Sequence, residues 1–362
     1  MDELPYLVQG NPSFLSILQN RIDHEWMDTK LFLIACGSSV SFMENEVLAH
    51  KSPIFGRKTG QFQVLPFDYL DASRFFPNWS NQEKMMVYGI LGGTPQYLLQ
   101  FSPERTIEDN IKEHMLDTAS YLYDEPKSLM RQELRNPSVY NGIVEAIALG
   151  ASKPNEVATK IGESPTKAAK YLLTLQELRI IAKDFPAGDI PEVSRKAKYR
   201  LSDPLFSFVY RFVYRNRSMA EQGLTDDLYA MKIKPELMPY MGKVFESACI
   251  QFLVRQNRMH RLPLVVESFQ SWWGGNPETR RQEEIGIVGI SGDSALYGEC
   301  KYRNELVGME VLDKLILRSS CVPKNRRTFV LFSKIGFSDA LLARAAIDEN
   351  LLLFTLDDLY AL

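Results

Sequence analysis

Glu299 and Lys301 are the pair in this chain best spaced for chemistry, two apart at the end of Leu296-Tyr297-Gly298-Glu299-Cys300-Lys301. β-Branched and aromatic residues flank a turn at Ser291-Gly292-Asp293, which predicts a hairpin with Glu283-Glu284-Ile285-Gly286-Ile287-Val288 as its first strand. Strand side chains alternate between faces, so Glu299 and Lys301 share one face and Cys300 takes the other. A carboxylate and a lysine held this way can bind magnesium or manganese and steady charge developing on a phosphate. Metal-assisted hydrolysis of a phosphodiester requires both. The same pair also reads as an ion pair retained for folding, costly to break from one side.

Glu-x-Lys at the end of the second hairpin strand resembles half of the PD-(D/E)XK nuclease-like motif. That resemblance implies an aspartate on the preceding strand, and the matching position is Gly286, which offers no ligand. It also implies an auxiliary carboxylate on the domain's first helix, matched by Glu246. Glu284 shares a strand face with position 286 but sits one pleat away, roughly 7 Å along the strand. It can stand in for the missing carboxylate only if the strand bulges, which Gly286 permits. The expected set is therefore Glu246, Glu284, Glu299 and Lys301, degenerate at Gly286, with a metal on Glu299 only if the site is active.

The elements that must position this set follow from periodicity. Gly242 to Asn257 predicts an amphipathic helix, Leu264–Phe269 a strand, and then comes the hairpin. A helix over 308–318, a strand over 328–332, a helix over 338–347 and a strand over 351–354 complete an αβββαβαβ order across residues 240–362. Residues 216–239 are polar, contain Pro235 and Pro239, and read as a linker.

Upstream, 136–215 predicts three helices and a two-stranded wing, a winged helix-turn-helix. Pro154 sits in the first turn of the second helix, and Ser164-Pro165-Thr166 caps the third. Lys167 and Lys170 lie near the start of that helix; Arg195, Lys196 and Lys198 lie at the wing. Such side chains could contact DNA phosphates and give non-specific, salt-sensitive affinity. No base-reading Arg or Asn is evident at the helix start. The alternative use of the unit is to pack domains together. Asp203–Tyr214 is aromatic on nearly every face and predicts a buried helix.

At the N-terminus, Asp2-Glu3-Leu4-Pro5-Tyr6-Leu7 is followed by apolar runs at Leu31–Cys36 and Phe62–Phe67, both expected to be strands. Gly37-Ser38-Ser39, Ser52-Pro53-Ile54-Phe55-Gly56-Arg57 and Gly92-Gly93-Thr94-Pro95-Gln96-Tyr97-Leu98 complete a pattern that resembles the archaeal-type ATPase family of P-loop proteins. The resemblance implies a partial ATPase α/β core over 1–76 and a helical lid over 77–135, with a break at Glu125-Pro126-Lys127. It implies a Walker B pair at Asp2 and Glu3, which without a P-loop read instead as exposed charges with no nucleotide to act on, and further remnants at Ser38 and Arg57. Members of that family carry a winged helix and a nuclease-like C-terminal domain, so the resemblance spans essentially the whole chain.

No G-x-x-x-x-G-K-[ST] occurs, so ATP binding is not expected of this chain alone. Gly92-Gly93 reads as a turn into the lid. The apolar sheet expected near 31–36 would lack its full complement of strands and could recruit a partner chain or self-associate.

Composition bounds the rest. The 362 residues suggest about two to four domains. A net charge of −3 argues against a uniformly basic nucleic-acid coat. Cys36, Cys249, Cys300 and Cys321 show no metal spacing and fit reduced thiols. No apolar run approaches the roughly 20 residues of a membrane span, and no secretory signal is visible, so the cytoplasm is expected. The sequence thus predicts an α/β and α multidomain protein that associates with DNA. Alternatives are a metal-dependent DNA nuclease or a protein-interaction module.

Overall fold

The computed structural model describes residues 1–37, 42–134, 136–276 and 279–361. Neither apolar run at the N-terminus becomes a strand, which corrects the expectation for 31–36 and 62–67. Phe32 is 81% exposed and Val64 94% exposed, so no layer covers them. A trace of pairing survives: Met1 N donates to Ile34 O (2.7 Å), Cys36 N to Met1 O (3.0 Å) and Leu4 N to Cys36 O (2.9 Å). The two segments run side by side, but β structure needs neighbours and a buried face to persist. Around them, helices Leu4–Gly10 and Phe14–Arg21 close a small cluster on Leu4, Leu15 and Val47.

The lid region is helical as expected. Helix Asn81–Leu91 starts at a capping box formed by Ser80 and Glu83. The break expected at Pro126 does not occur, because helix Tyr121–Glu133 runs through it. Leu122, Tyr123, Pro126 and Met130 are all buried on that helix. Their burial offsets the roughly 3 kcal/mol that an interior proline costs.

Helices Pro137–Ala148, Pro154–Ile161 and Pro165–Glu177 follow, closed by the antiparallel hairpin β1 (Ile181–Asp184) and β2 (Lys198–Leu201). Their apolar faces meet on Ile143, Val144, Val157, Leu172, Leu175 and Ile181. Residues 216–239 are not a linker but three short helical pieces leading into a long helix, Lys234–Arg258. Few apolar residues anchor that stretch, yet Leu228 and Ile233 are wholly buried. Pro235 lies in the first turn, where its missing N–H costs nothing.

The C-terminal sheet has the order β3 (Phe269–Gly275), β4 (Gln282–Ser291), β5 (Ser294–Lys301), β6 (Arg326–Ser333) and β7 (Leu351–Thr355). The first three form an antiparallel meander, and β5, β6 and β7 are parallel. The expected strand over 264–269 is displaced to β3. Asn257 holds Val266 at both its N–H (3.0 Å) and its C=O (2.8 Å), which ties that segment to the end of the long helix instead.

One sheet face packs on the long helix and, through it, on the lid and the aromatic helix Pro204–Phe208 in a single core. The opposite face packs on helices Met309–Ser319 and Asp339–Ala345. Tyr69 OH donates to Leu359 O (2.7 Å), and Asn81 reaches Asp357 (2.7 Å). Residues of the 69–123 stretch, the long helix and one face of the sheet therefore share a core. Among the described residues, no helix is long and apolar enough to cross a membrane.

Candidate functional site

The site arises where β4 and β5 part. Their ladder ends at Ile287↔Gly298; beyond it β5 stays with β6 through Glu299, Cys300 and Lys301, while β4 stays with β3. Between β3 and β4 the register steps from Gln270↔Val288 to Trp272↔Ile285, so Gly286 and Ile287 together oppose Ser271. This is a β-bulge, located at the glycine. Ile287 joins the core under the long helix, whereas Ile285 and Val288 join the core on the far face.

Gly286 also looks towards the long helix. A Cβ built there would lie 3.3 Å from Glu246 Oε2. The helix-borne carboxyl thus fills the space that a strand-borne side chain would take. Ser271 Oγ donates to Glu246 Oε1 at 3.4 Å, linking the bulge to the helix. Burial first, then Glu284 and Glu299, push the Glu246 carboxyl up to about 7. Glu284 and Glu299 therefore lie near enough to Glu246 for their charges to act on its carboxyl.

Glu299 is 16% exposed and lies in an ion network. Lys301 Nζ approaches Oε1 at 2.5 Å, Arg318 Nη1 lies 3.7 Å from Oε2, and Arg318 Nε donates to Glu283 Oε2 at 2.8 Å. Sequence reasoning missed Arg318 and Glu283. Arg318 in the last turn of a predicted helix was the available signal, but its partner depends on the register of β4. Cys300 points the other way, as alternation predicts, towards the core under the long helix that also holds Cys249. Burial pushes both thiols up.

These residues do not fit a divalent cation. Glu299 is committed to two cationic side chains, Gly286 has no donor, and Glu246 holds a proton up to about 7. Among the described residues, no three His, Cys, Asp or Glu converge as a metal site.

The raised Glu246 carboxyl has a consequence for stability. From the ordinary value of 4.5 to about 7 the folded chain keeps a proton that the unfolded chain releases, so stability falls as pH rises through that window. Glu246→Gln should therefore raise stability by about 2 kcal/mol at pH 8 and change it little at pH 4. Urea midpoints at the two pH values check this; equal shifts at both would contradict it.

The residues expected to contact phosphate have varied surroundings. Lys167 pairs with Glu163 (2.7 Å), and Lys170 and Arg195 are exposed. Lys196 pairs with Asp189 (3.4 Å), and Lys198 sits 4.4 Å over the Trp273 ring. At the N-terminus, Asp2 Oδ1 accepts from Glu3 N (2.9 Å) and Cys36 Sγ (3.1 Å), and Glu3 adopts a left-handed φ of 50°. Arg57 forks onto Asp23 (2.7 and 2.8 Å) and pins the 53–57 loop. Ser38 lies outside the described residues.

Comparison with known proteins gives these features a setting. The uncharacterized protein MJECL04 of Methanocaldococcus jannaschii is 32% identical over 306 residues, covering 84% of this chain and 67% of that protein. A family described as an ATPase domain predominantly from Archaea matches residues 1–101. The chain belongs to the same family as MJECL04 and carries an archaeal-type ATPase family domain at its N-terminus. Residues 209–313 match a second family, described as archaeal and bacterial proteins of unknown function, which takes in the long helix, β3, β4 and β5. A crystal structure of protein VC1899 from Vibrio cholerae is similar at 14% identity with a TM-score of 0.27. That match covers 67% of this chain, and the chain spans 55% of that protein.

Proposed function

We propose that this chain is a nucleic-acid-associated part of an archaeal-type ATPase, in which a winged helix and a nuclease-like sheet hold DNA without cutting it. The observation that carries the reading is the open flank of the third helix, Pro165–Glu177. Thr166, Lys167, Ala169 and Lys170 are all exposed there, at an N-terminus capped by Ser164. Small and basic residues on one uncovered flank suit close approach to a phosphate backbone. The helix–helix–helix–hairpin order supports a winged helix, and the αβββαβαβ order with its meander and parallel strands supports a nuclease-like sheet. Non-cleavage rests on the occupied oxygens of Glu299 and the missing donor at Gly286. Nucleotide hydrolysis is not proposed for this sequence, which carries no P-loop.

Fluorescence anisotropy with a labelled DNA duplex tests the reading. Affinity should fall steeply between 50 and 200 mM KCl, and the double variant Lys167→Gln/Lys170→Gln should reduce the salt slope by about two. Plasmid incubated with manganese should stay supercoiled. Salt-insensitive or undetectable binding sinks the reading, and nicking would favour a nuclease using Glu246, Glu299 and Lys301.

A second reading, a protein-interaction module, is favoured by the bare apolar residues at 31–34 and 62–65. Light scattering that shows a monodisperse monomer at high concentration would end it.

A further inference from the structure

The hairpin loop from Phe185 to Ala197 is exposed over its middle, but near its two ends it docks on the outer edge of the C-terminal sheet. Ala187 N donates to Ser271 O at 2.9 Å, so the loop takes up a backbone acceptor on edge strand β3. Ala187 itself is 5% exposed and joins the core with Ile285 and Val288. Trp273 Nε1 donates to Lys196 O at 3.1 Å, and the Trp273 ring carries the Lys198 ammonium at 4.4 Å. Asp189, on the same loop, engages Lys196 Nζ. Two of the wing's basic side chains are thus occupied by β3 and by the loop itself.

We propose that this docking is a latch: the edge of β3, through Trp273 and Ser271, competes with nucleic acid for the wing. The proposal rests on the DNA-binding reading above. The chemistry of the competition is explicit, because a cation over an indole face is held by the ring's quadrupole and a phosphate offers the same ammonium a full charge. An ammonium that turns from the Trp273 ring to a phosphate gives up its contact with β3, and on this proposal that loss draws the loop off the sheet edge. The open flank of the third helix is not part of the latch, and it supplies the first, weaker contact.

The latch lies one hydrogen bond from the candidate site. Ser271 accepts from the wing through its carbonyl and donates to Glu246 through its hydroxyl. Releasing the loop frees a bulge residue that holds Glu246, so Ser271 and Ala187 act as positioning residues for that carboxyl.

The test measures DNA affinity and hydrogen exchange in the same full chain. Trp273→Ala should bind a labelled duplex about fivefold more tightly than the parent at equal salt, since the competitor is gone. In the parent, saturating duplex should speed exchange at the Ala187 amide. Trp273→Phe, which keeps the ring and loses the N–H, should fall between the two and guards against misfolding of the alanine variant. Unchanged or weaker binding by both variants, with the Ala187 amide equally protected with and without duplex, overturns the latch and leaves DNA binding standing. No salt-sensitive binding by parent or variants overturns the DNA reading, and the competition with it.

Discussion

Replacing Gly93 by alanine should destabilise the protein by at least about 3 kcal/mol, or leave it insoluble. A Cβ at that position would lie 1.8 Å from Phe67 O and 2.6 Å from Phe67 C. Those are backbone atoms, which cannot swing aside as a flexible side chain does. Phe67 N also donates to Gly93 O at 2.9 Å, so the two segments are in direct backbone contact. Pushing Phe67 away would disturb the next residue, Asp68, which caps its helix through Leu70 N and Asp71 N and pairs with Arg255 on the long helix. Urea denaturation of the purified variant measures the loss. Gly142→Ala is the control: its nearest neighbour would be 3.6 Å away inside a helix, and it should be neutral or slightly stabilising. Equal stability of Gly93→Ala and the parent would refute the crossing.

Glu299→Ala should cost about 3 kcal/mol, because it strands Lys301 and half of Arg318 in a site that is mostly out of water. Lys301 is 33% exposed and Arg318 18%, so neither charge is well hydrated once its partner is removed. Arg318 retains Glu283, which limits the loss. If the pair serves folding alone, Glu299→Met with Lys301→Leu should recover most of the stability, since replacing both partners removes the uncompensated charge. Thermal unfolding of the single and double variants decides the point. A double variant no better than Glu299→Ala would show that the cation network, rather than burial, sets the cost.

The hairpin around Glu299 was legible because three independent signals agree: β-branched alternation, a Gly-Asp turn, and polar residues on one face. Gly292 at φ 57° takes the backbone conformation that such a turn demands. The face assignment of Cys300 against Glu299 followed from period two alone. The bulge was foreseen only as a condition. A glycine in a strand permits a bulge, but Ser271 opposite it is fixed by a register between strands that no local pattern records.

Other features hid for different physical reasons. Leu31–Ile34 and Phe62–Leu65 have the composition of strands, yet strand formation needs neighbours that composition cannot supply. Residues 216–239 looked like a linker because Leu228, Tyr229, Ile233 and Leu237 are sparse among polar residues, although each is buried. Pro126 looked like a stop because its cost is local, while the packing that overrides it comes from elsewhere in the chain. The hairpin lysines were legible as charges, but their engagement was not, since Trp273 comes from a distant strand and the Asp189 contact depends on how the loop closes.

The core shared by the lid, the long helix and one face of the C-terminal sheet has a mechanical meaning. Tyr69 is fastened to Leu359, Asn81 to Asp357 and Arg255 to Asp68, so the residues around 68–81 are tied to the C-terminal helix and to the long helix. The long helix is the shared spine of that core, buried along Leu237, Met241, Phe245, Ala248, Phe252 and Leu253. Severing the chain near residue 240 would cut through a continuous helix and leave the sheet without its spine.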